Sequence, residues 1–81
     1  MSYENIFSER FKTVRSEKRF TQKQVSELLG VEETLIGHWE KKRRLPSFAV
    51  FCQISDLFGV SLDFLAGKTD DRRPRKPRKP E

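Results

Sequence analysis

The residues in this chain that could do chemistry are few and mostly of one kind. Lys41, Lys42, Arg43 and Arg44 form the densest positive cluster of the body, and His38, the one histidine, stands just before them. Glu32 and Glu33 open the same stretch, and Gln22 and Lys23 stand about ten residues upstream. No glycine-rich phosphate loop, GKS/T, HExxH or nucleophile elbow occurs, and His38 has no evident nucleophile beside it. The chain therefore reads as a non-enzyme. One Cys and one His fall short of the roughly four ligands of a structural zinc site, and no motif calls for another metal or a cofactor. The single Cys52 cannot close an intrachain disulfide, which fits a reducing compartment. What remains is the chemistry of cations. Formal net charge is +5, from 17 Lys+Arg against 12 Asp+Glu. Such a balance points to a polyanion, either nucleic acid or an anionic membrane face.

The elements that carry these residues follow from length and pattern. A chain of 81 residues, 35% apolar and 36% charged, has room for one small domain with a modest core. No run approaches the ~18–20 apolar residues of a membrane span, and Met1–Glu9 lacks the basic-then-apolar order of a secretory signal. Phe7, Phe11 and Val14 form the apolar stripe of a first helix. Thr21 and Gln24 make a capping box for a second, striped by Val25, Leu28 and Leu29 and stopped by Gly30. A third runs over Glu32–Lys41, with Leu35, Ile36 and Trp39 inward. Ser47 caps a fourth, carrying Phe48, Phe51, Ile54 and Phe58 and closed by Gly59. Ser61 caps a short fifth, Leu62–Ala66, closed by Gly67. No period-two pattern suggests a strand, so the fold is expected to be all-α, a compact five-helix domain over residues 1–69. Trp39, Phe7, Phe11, Phe20, Phe51 and Phe58 are core by this reading, and Cys52 a buried, inert thiol.

Residues 70–81 differ in kind. Six basic residues, Arg72, Arg73, Arg75, Lys76, Arg78 and Lys79, stand there against three acids. Pro74, Pro77 and Pro80 exclude helix and favour an extended, polyproline-like chain. This segment is expected to be a disordered basic tail that adds affinity for a polyanion without choosing sequence, as a basic arm does, with a tail that serves solubility alone as the alternative.

Within the body, the informative unit is Thr21–Glu40. Two short helices joined by a glycine turn must cross steeply, as in a helix-turn-helix. The chain resembles the lambda-repressor/Cro-like (XRE) helix-turn-helix family over about Ile6–Gly67. Phe7, Arg10, Phe11, Lys12, Val14, Arg15 and Glu17 carry the likeness, with Phe20-Thr21-Gln22, Val25, Leu29-Gly30-Val31, Ile36 and Trp39-Glu40. Pro46 and Phe58-Gly59-Val60-Ser61-Leu62-Asp63 with Leu65 and Gly67 complete it. The resemblance implies a five-helix domain that binds double-stranded DNA, with residues 33–41 as recognition helix in the major groove. It implies base reading by Glu33, Thr34, Gly37 and His38 and phosphate contact by Gln22. It also implies a buried Arg15–Glu40 pair and a homodimer on an inverted repeat, with Leu62 and Phe64 of the fifth helix as dimer candidates. A small cytoplasmic repressor of a bacterium or bacteriophage fits this pattern. Lys23 and the run Lys41, Lys42, Arg43 and Arg44 flank that helix, a placement suited to phosphate contact. Three positions depart from the family. Glu32 and Glu33 are acids where serine, threonine or glutamine is common. Gly37 sits inside a helix, and Lys42 replaces a glycine. The same fold serving as a protein-interaction module, antitoxin-like or antirepressor-like, is the alternative.

Overall fold

In the computed structural model of the chain, the structure describes residues 2–74. Among them are five helices: α1 (Tyr3–Glu17), α2 (Gln22–Leu29), α3 (Glu33–Glu40), α4 (Phe48–Phe58) and α5 (Leu62–Ala66). The starts are set by side-chain caps. Ser2, Thr21, Ser47 and Ser61 each accept a backbone N–H from three residues on, and the Thr21–Gln24 capping box is complete. Glu32, at the start of α3, makes no such bond.

The helix ends are more instructive. Gly67 has φ 82°, and a Cβ there would come within 2.5 Å of the Ile6 side chain, so only glycine lets the end of α5 approach α1. Two helices end without glycine. Arg19 (φ 61°) and Lys42 (φ 66°) take the left-handed conformation themselves. Each is held by the same pair of bonds. Arg19 N–H donates to Ser16 and Phe20 N–H to Arg15; Lys42 N–H donates to Trp39 and Arg43 N–H to His38. That is a Schellman ending with a basic residue where glycine is usual. The turn after α3 therefore keeps the glycine-type path despite the replacement at Lys42.

One core holds the helices. Phe7, Phe11 and Val14 of α1 meet Val25 and Leu29 of α2, Ile36 and Trp39 of α3, Ile54 and Phe58 of α4, and Leu65 of α5. Phe11 is its hub, 5.7 Å from Trp39 at right angles and 5.4 Å from Phe58. Burying each such side chain contributes about 1.5–3 kcal/mol. Phe20 and Phe51 pack against this core while partly exposed. Several expectations need correction. Phe48 and Leu28 lie on their helices' apolar stripes by spacing, yet they are 79% and 58% exposed, because no helix covers those edges. Cys52 is half-buried rather than buried.

The body also extends past Thr69. Arg10 donates to the carbonyls of Phe64 and Thr69, both at 2.6 Å, and to the Asp70 carboxylate at 2.8 Å. Ser61 N–H donates to the Arg72 carbonyl, and the Ser61 hydroxyl to that of Asp71. Arg72 forks onto Glu17. Asp70–Arg73 thus form a strap tied to α1 and α5, where composition alone suggests that an unfolded tail begins at 70. Arg75, Lys76, Arg78 and Lys79, the rest of the expected basic arm, lie outside the described residues. Phe64 faces inward beneath this strap, 6% exposed, with the Arg10 and Arg72 guanidinium groups 4.3 and 5.2 Å from its ring centre. Little of its surface is left to meet a second chain. Its neighbour Leu62 is exposed.

Candidate nucleic-acid interface

The α2–α3 unit is locked by one buried carboxylate. Glu40, at the last turn of α3, accepts from Arg15 Nε at 2.6 Å, Arg15 Nη2 at 3.1 Å and Gln22 Nε2 at 3.0 Å. Arg15 also donates to the Phe20 carbonyl at 2.7 Å, and the Ser8 hydroxyl to the Glu40 carbonyl at 2.8 Å. The Glu40 side chain is 6% exposed and that of Arg15 15%. A buried charge needs such complete pairing, because desolvation otherwise exceeds the Coulombic gain. The consequence is geometric: α1, the start of α2 and the end of α3 are joined at one point. Gln22 is thereby held by one amide hydrogen, leaving its carbonyl oxygen and second hydrogen free to meet a ligand.

In front of this lock lies an open concavity of about 360 Å³, lined by Gln22, Glu33, Thr34, Gly37, His38, Lys41 and Arg43. Glu33, Thr34, Gly37 and His38 all line it. They share one outward stripe of α3 because residues three and four apart lie on one face. Gly37 has no atom within 4 Å of where a Cβ would sit, so it opens a notch in the middle of that stripe. Glu33 lies in the first turn of α3, where a carboxylate interacts favourably with the helix N-terminus. Trp39, one residue past His38, is 2% exposed and serves the core.

The flanking cations sit around this concavity. Lys41 and Arg43 line it, whereas Lys23, Lys42 and Arg44 stand exposed outside it. Lys42 lies 3.9 Å from Glu9; among the described residues no carboxylate pairs with Lys41, Arg43 or Arg44. Cations without partners beside a helix stripe are suited to an anionic backbone. The strap on α1 and α5 behaves differently. Arg72 and Arg73 are already engaged by Glu17 and Asp71. Arg73 donates to the Asp71 carboxyl and holds its pKa down at about 2, and Arg72 lowers that of Glu17 in the same way.

Sequence reasoning missed two parts of the lock. Nothing about Ser8 marks it as reaching the Glu40 carbonyl 32 positions away, and the Gln22–Glu40 bond is not apparent from either residue alone. No group of three or more His, Cys, Asp or Glu among the described residues could hold a metal ion. No helix there is long and apolar enough to cross a membrane.

Comparison with known proteins bears on this arrangement. The model of a helix-turn-helix domain family matches residues 8–70. The HTH-type transcriptional regulator YobD of Bacillus subtilis (strain 168) is 27% identical over 91% of this chain and 66% of its own length. The regulator YazB of the same organism is 33% identical over 75% of this chain and 88% of its own. The transcriptional activator BcrR of Enterococcus faecalis is 36% identical over 73% of this chain and 29% of its own length. The chain thus spans just under two thirds of YobD and under a third of BcrR. These relatives are named as regulators rather than enzymes. With the matched family model covering α2, α3 and the lock between them, the chain belongs to the XRE-like helix-turn-helix family.

Proposed function

We propose that this chain is a sequence-specific, double-stranded DNA-binding transcriptional regulator that lays α3 in the major groove. The observation that carries the reading is the concave α3 stripe Glu33, Thr34, Gly37 and His38, backed by the Gln22–Glu40–Arg15 lock. Base edges are read by side chains near the start of such a helix and one turn on. Glu33 can accept from a cytosine amino group, and His38 can donate to guanine. Gln22, Lys23, Lys41, Lys42, Arg43 and Arg44 contact phosphate and fix the register. Two copies on an inverted repeat, one helical turn or about 34–36 Å apart, would match this geometry. Repression is the simpler mode of action, since occluding a promoter requires binding alone. BcrR is named an activator, but the likeness covers only 29% of it. The setting is the cytoplasm of a bacterium, where the DNA lies.

Selection of bound duplexes from a random pool tests the proposal. Enrichment of one half-site, repeated in inverted orientation, is expected, with log K falling by about 0.9 per phosphate contact against log salt. His38→Ala should then relax choice at one position per half-site by about 1–3 kcal/mol. A pool that yields no enrichment overturns the reading. The exposed acids Glu32 and Glu33 at the start of α3 favour the second reading, a protein-interaction module. For that module, binding to mixed duplex would be absent even at low salt.

A further inference from the structure

The chain has four glycines, and three of them, Gly30, Gly59 and Gly67, close helices at positive φ. Gly37 is the exception. It sits inside α3 with helical backbone, its carbonyl accepting from Lys41 N–H at 3.0 Å. Glycine is a poorer helix former than any residue but proline, so this position weakens the helix. Nothing in the fold asks for it. Beyond its chain neighbours and the local helix backbone, a Cβ there would meet no atom within 4 Å. A residue that costs helix stability and relieves no contact or turn inside the molecule is explained by what approaches from outside. Gly37 lines the concavity of about 360 Å³, with Glu33 and Thr34 one turn before it and Lys41 one turn after.

We infer that Gly37 is a specificity determinant, whose bare Cα makes the notch that receives the C5-methyl group of a pyrimidine in the major groove. The inference deepens the proposed function and rests on it. Base edges in that groove present donors, acceptors and one apolar feature, the C5 methyl. A donor or acceptor needs a polar partner, and Gly37 has none to give. It lacks a side chain, and its backbone belongs to the α3 ladder. The methyl needs only space and a carbon surface, which a bare Cα supplies. One added carbon at Gly37 would take the place of that methyl, and close packing responds to changes of that size.

The neighbours suit this occupant. Thr34 lines the same concavity and carries a methyl for apolar contact and a hydroxyl that can donate or accept. Two bases bear a C5 methyl: thymine, and cytosine methylated at C5. His38 can donate to the O4 acceptor of thymine, and Glu33 can accept from the N4 amino group of cytosine. The stripe therefore meets the polar edge of either base, and the methyl is what the two share. Burying one methyl is worth about fourfold in affinity.

The test uses the full chain and the half-site enriched from the random pool. Its thymines are replaced one at a time by deoxyuridine, which removes only the methyl, and its cytosines by 5-methyldeoxycytidine, which adds one. At one position per half-site, wild type should bind the methyl-bearing duplex about fourfold more tightly than its methyl-free counterpart. Gly37→Ala should lose that difference and bind both duplexes no better than wild type binds the methyl-free one. Its melting temperature should rise, because alanine is the better helix former, so the weaker binding is not a loss of fold. Sensitivity to deoxyuridine assigns the notch to thymine, and sensitivity to 5-methyldeoxycytidine assigns it to methylated cytosine. Indifference of wild type to the methyl at every position overturns the inference. So does a Gly37→Ala chain that keeps the discrimination, whether or not its affinity falls, since the glycine would then only let the backbone come close. A pool that enriches no half-site ends the proposed function and the notch together, whereas an enriched half-site blind to methyl ends the notch alone.

Discussion

Two arginine–carboxylate forks in this molecule have the same bond lengths and different meanings, one made side-on through Nε and Nη2 and the other end-on through the two terminal nitrogens. Arg15 grips Glu40 at 2.6 and 3.1 Å, and Arg72 grips Glu17 at 2.6 and 3.1 Å. Their side chains are 15% and 6% exposed in the first pair and 46% and 48% in the second. Burial strengthens the attraction between charges and raises the cost of losing one. The buried fork is therefore a structural rivet beneath the reading helix. The exposed one is a latch that water and salt can replace. The difference also separates the cations by role. Arg15 is committed to the fold, whereas Lys41, Arg43 and Arg44 have no acid of their own among the described residues.

The contrast can be broken most directly at the rivet. Arg15→Met should lower stability by about 3–5 kcal/mol, since it leaves the Glu40 charge buried and unpaired. Arg15→Met with Glu40→Leu should recover most of that loss, because neither charge then remains. Denaturant titration checks both, and a single variant that melts with wild type would end the distinction. Gln22→Ala removes one donor from Glu40 and should cost about 1–2 kcal/mol. It should also weaken DNA binding across all sequences alike, which competition with mixed duplex would read. Lys42→Gly relieves a left-handed side chain and should raise stability by up to about 1 kcal/mol. The same change removes a cation, so the salt slope should shallow by about 0.9 if Lys42 meets phosphate. At the latch, Arg72→Ala should leave the melting temperature near that of wild type, and the small difference should vanish in high salt.

The smallest effect concerns pH. Asp71 and Glu17 have folded pKa values below their ordinary ones, so the strap's stabilisation is fully present above the ordinary carboxylate range. It is lost as protons bind. For Asp71 the window runs from 3.8 down to about 2. Carboxyl resonances followed by acid titration should show the strap releasing in that interval. A strap that stays ordered at pH 2 would show that the Arg10 bonds and the Ser61 bonds hold it without the acids.

The five helices were legible because their signals are local. Caps at Thr21, Ser47 and Ser61 and left-handed stops at Gly30, Gly59 and Gly67 act within about four residues. The α3 residues Glu33, Thr34, Gly37 and His38 were named through the family resemblance, and their three- and four-residue spacing puts them on one helix face. Lys42 shows the limit of residue preference. Its side chain disfavours the left-handed turn, yet the bonds from Lys42 and Arg43 back to Trp39 and His38 hold it there.

By itself, then, the sequence determined the caps and stops of α2, α4 and α5 and the apolar stripes, which are governed by neighbours a turn or two away, together with the excess of cations. The tertiary structure alone decided which stripe residues are covered. Phe48 projects into solvent while Phe64 is roofed by two arginines, although both are phenylalanines near a serine cap. It also decided that Arg10 reaches Phe64, Thr69 and Asp70, 54 to 60 positions away, and that Gln22 turns one hydrogen inward to Glu40. Such contacts depend on how whole helices cross, and one residue's type carries no information about the partner that packing brings to it.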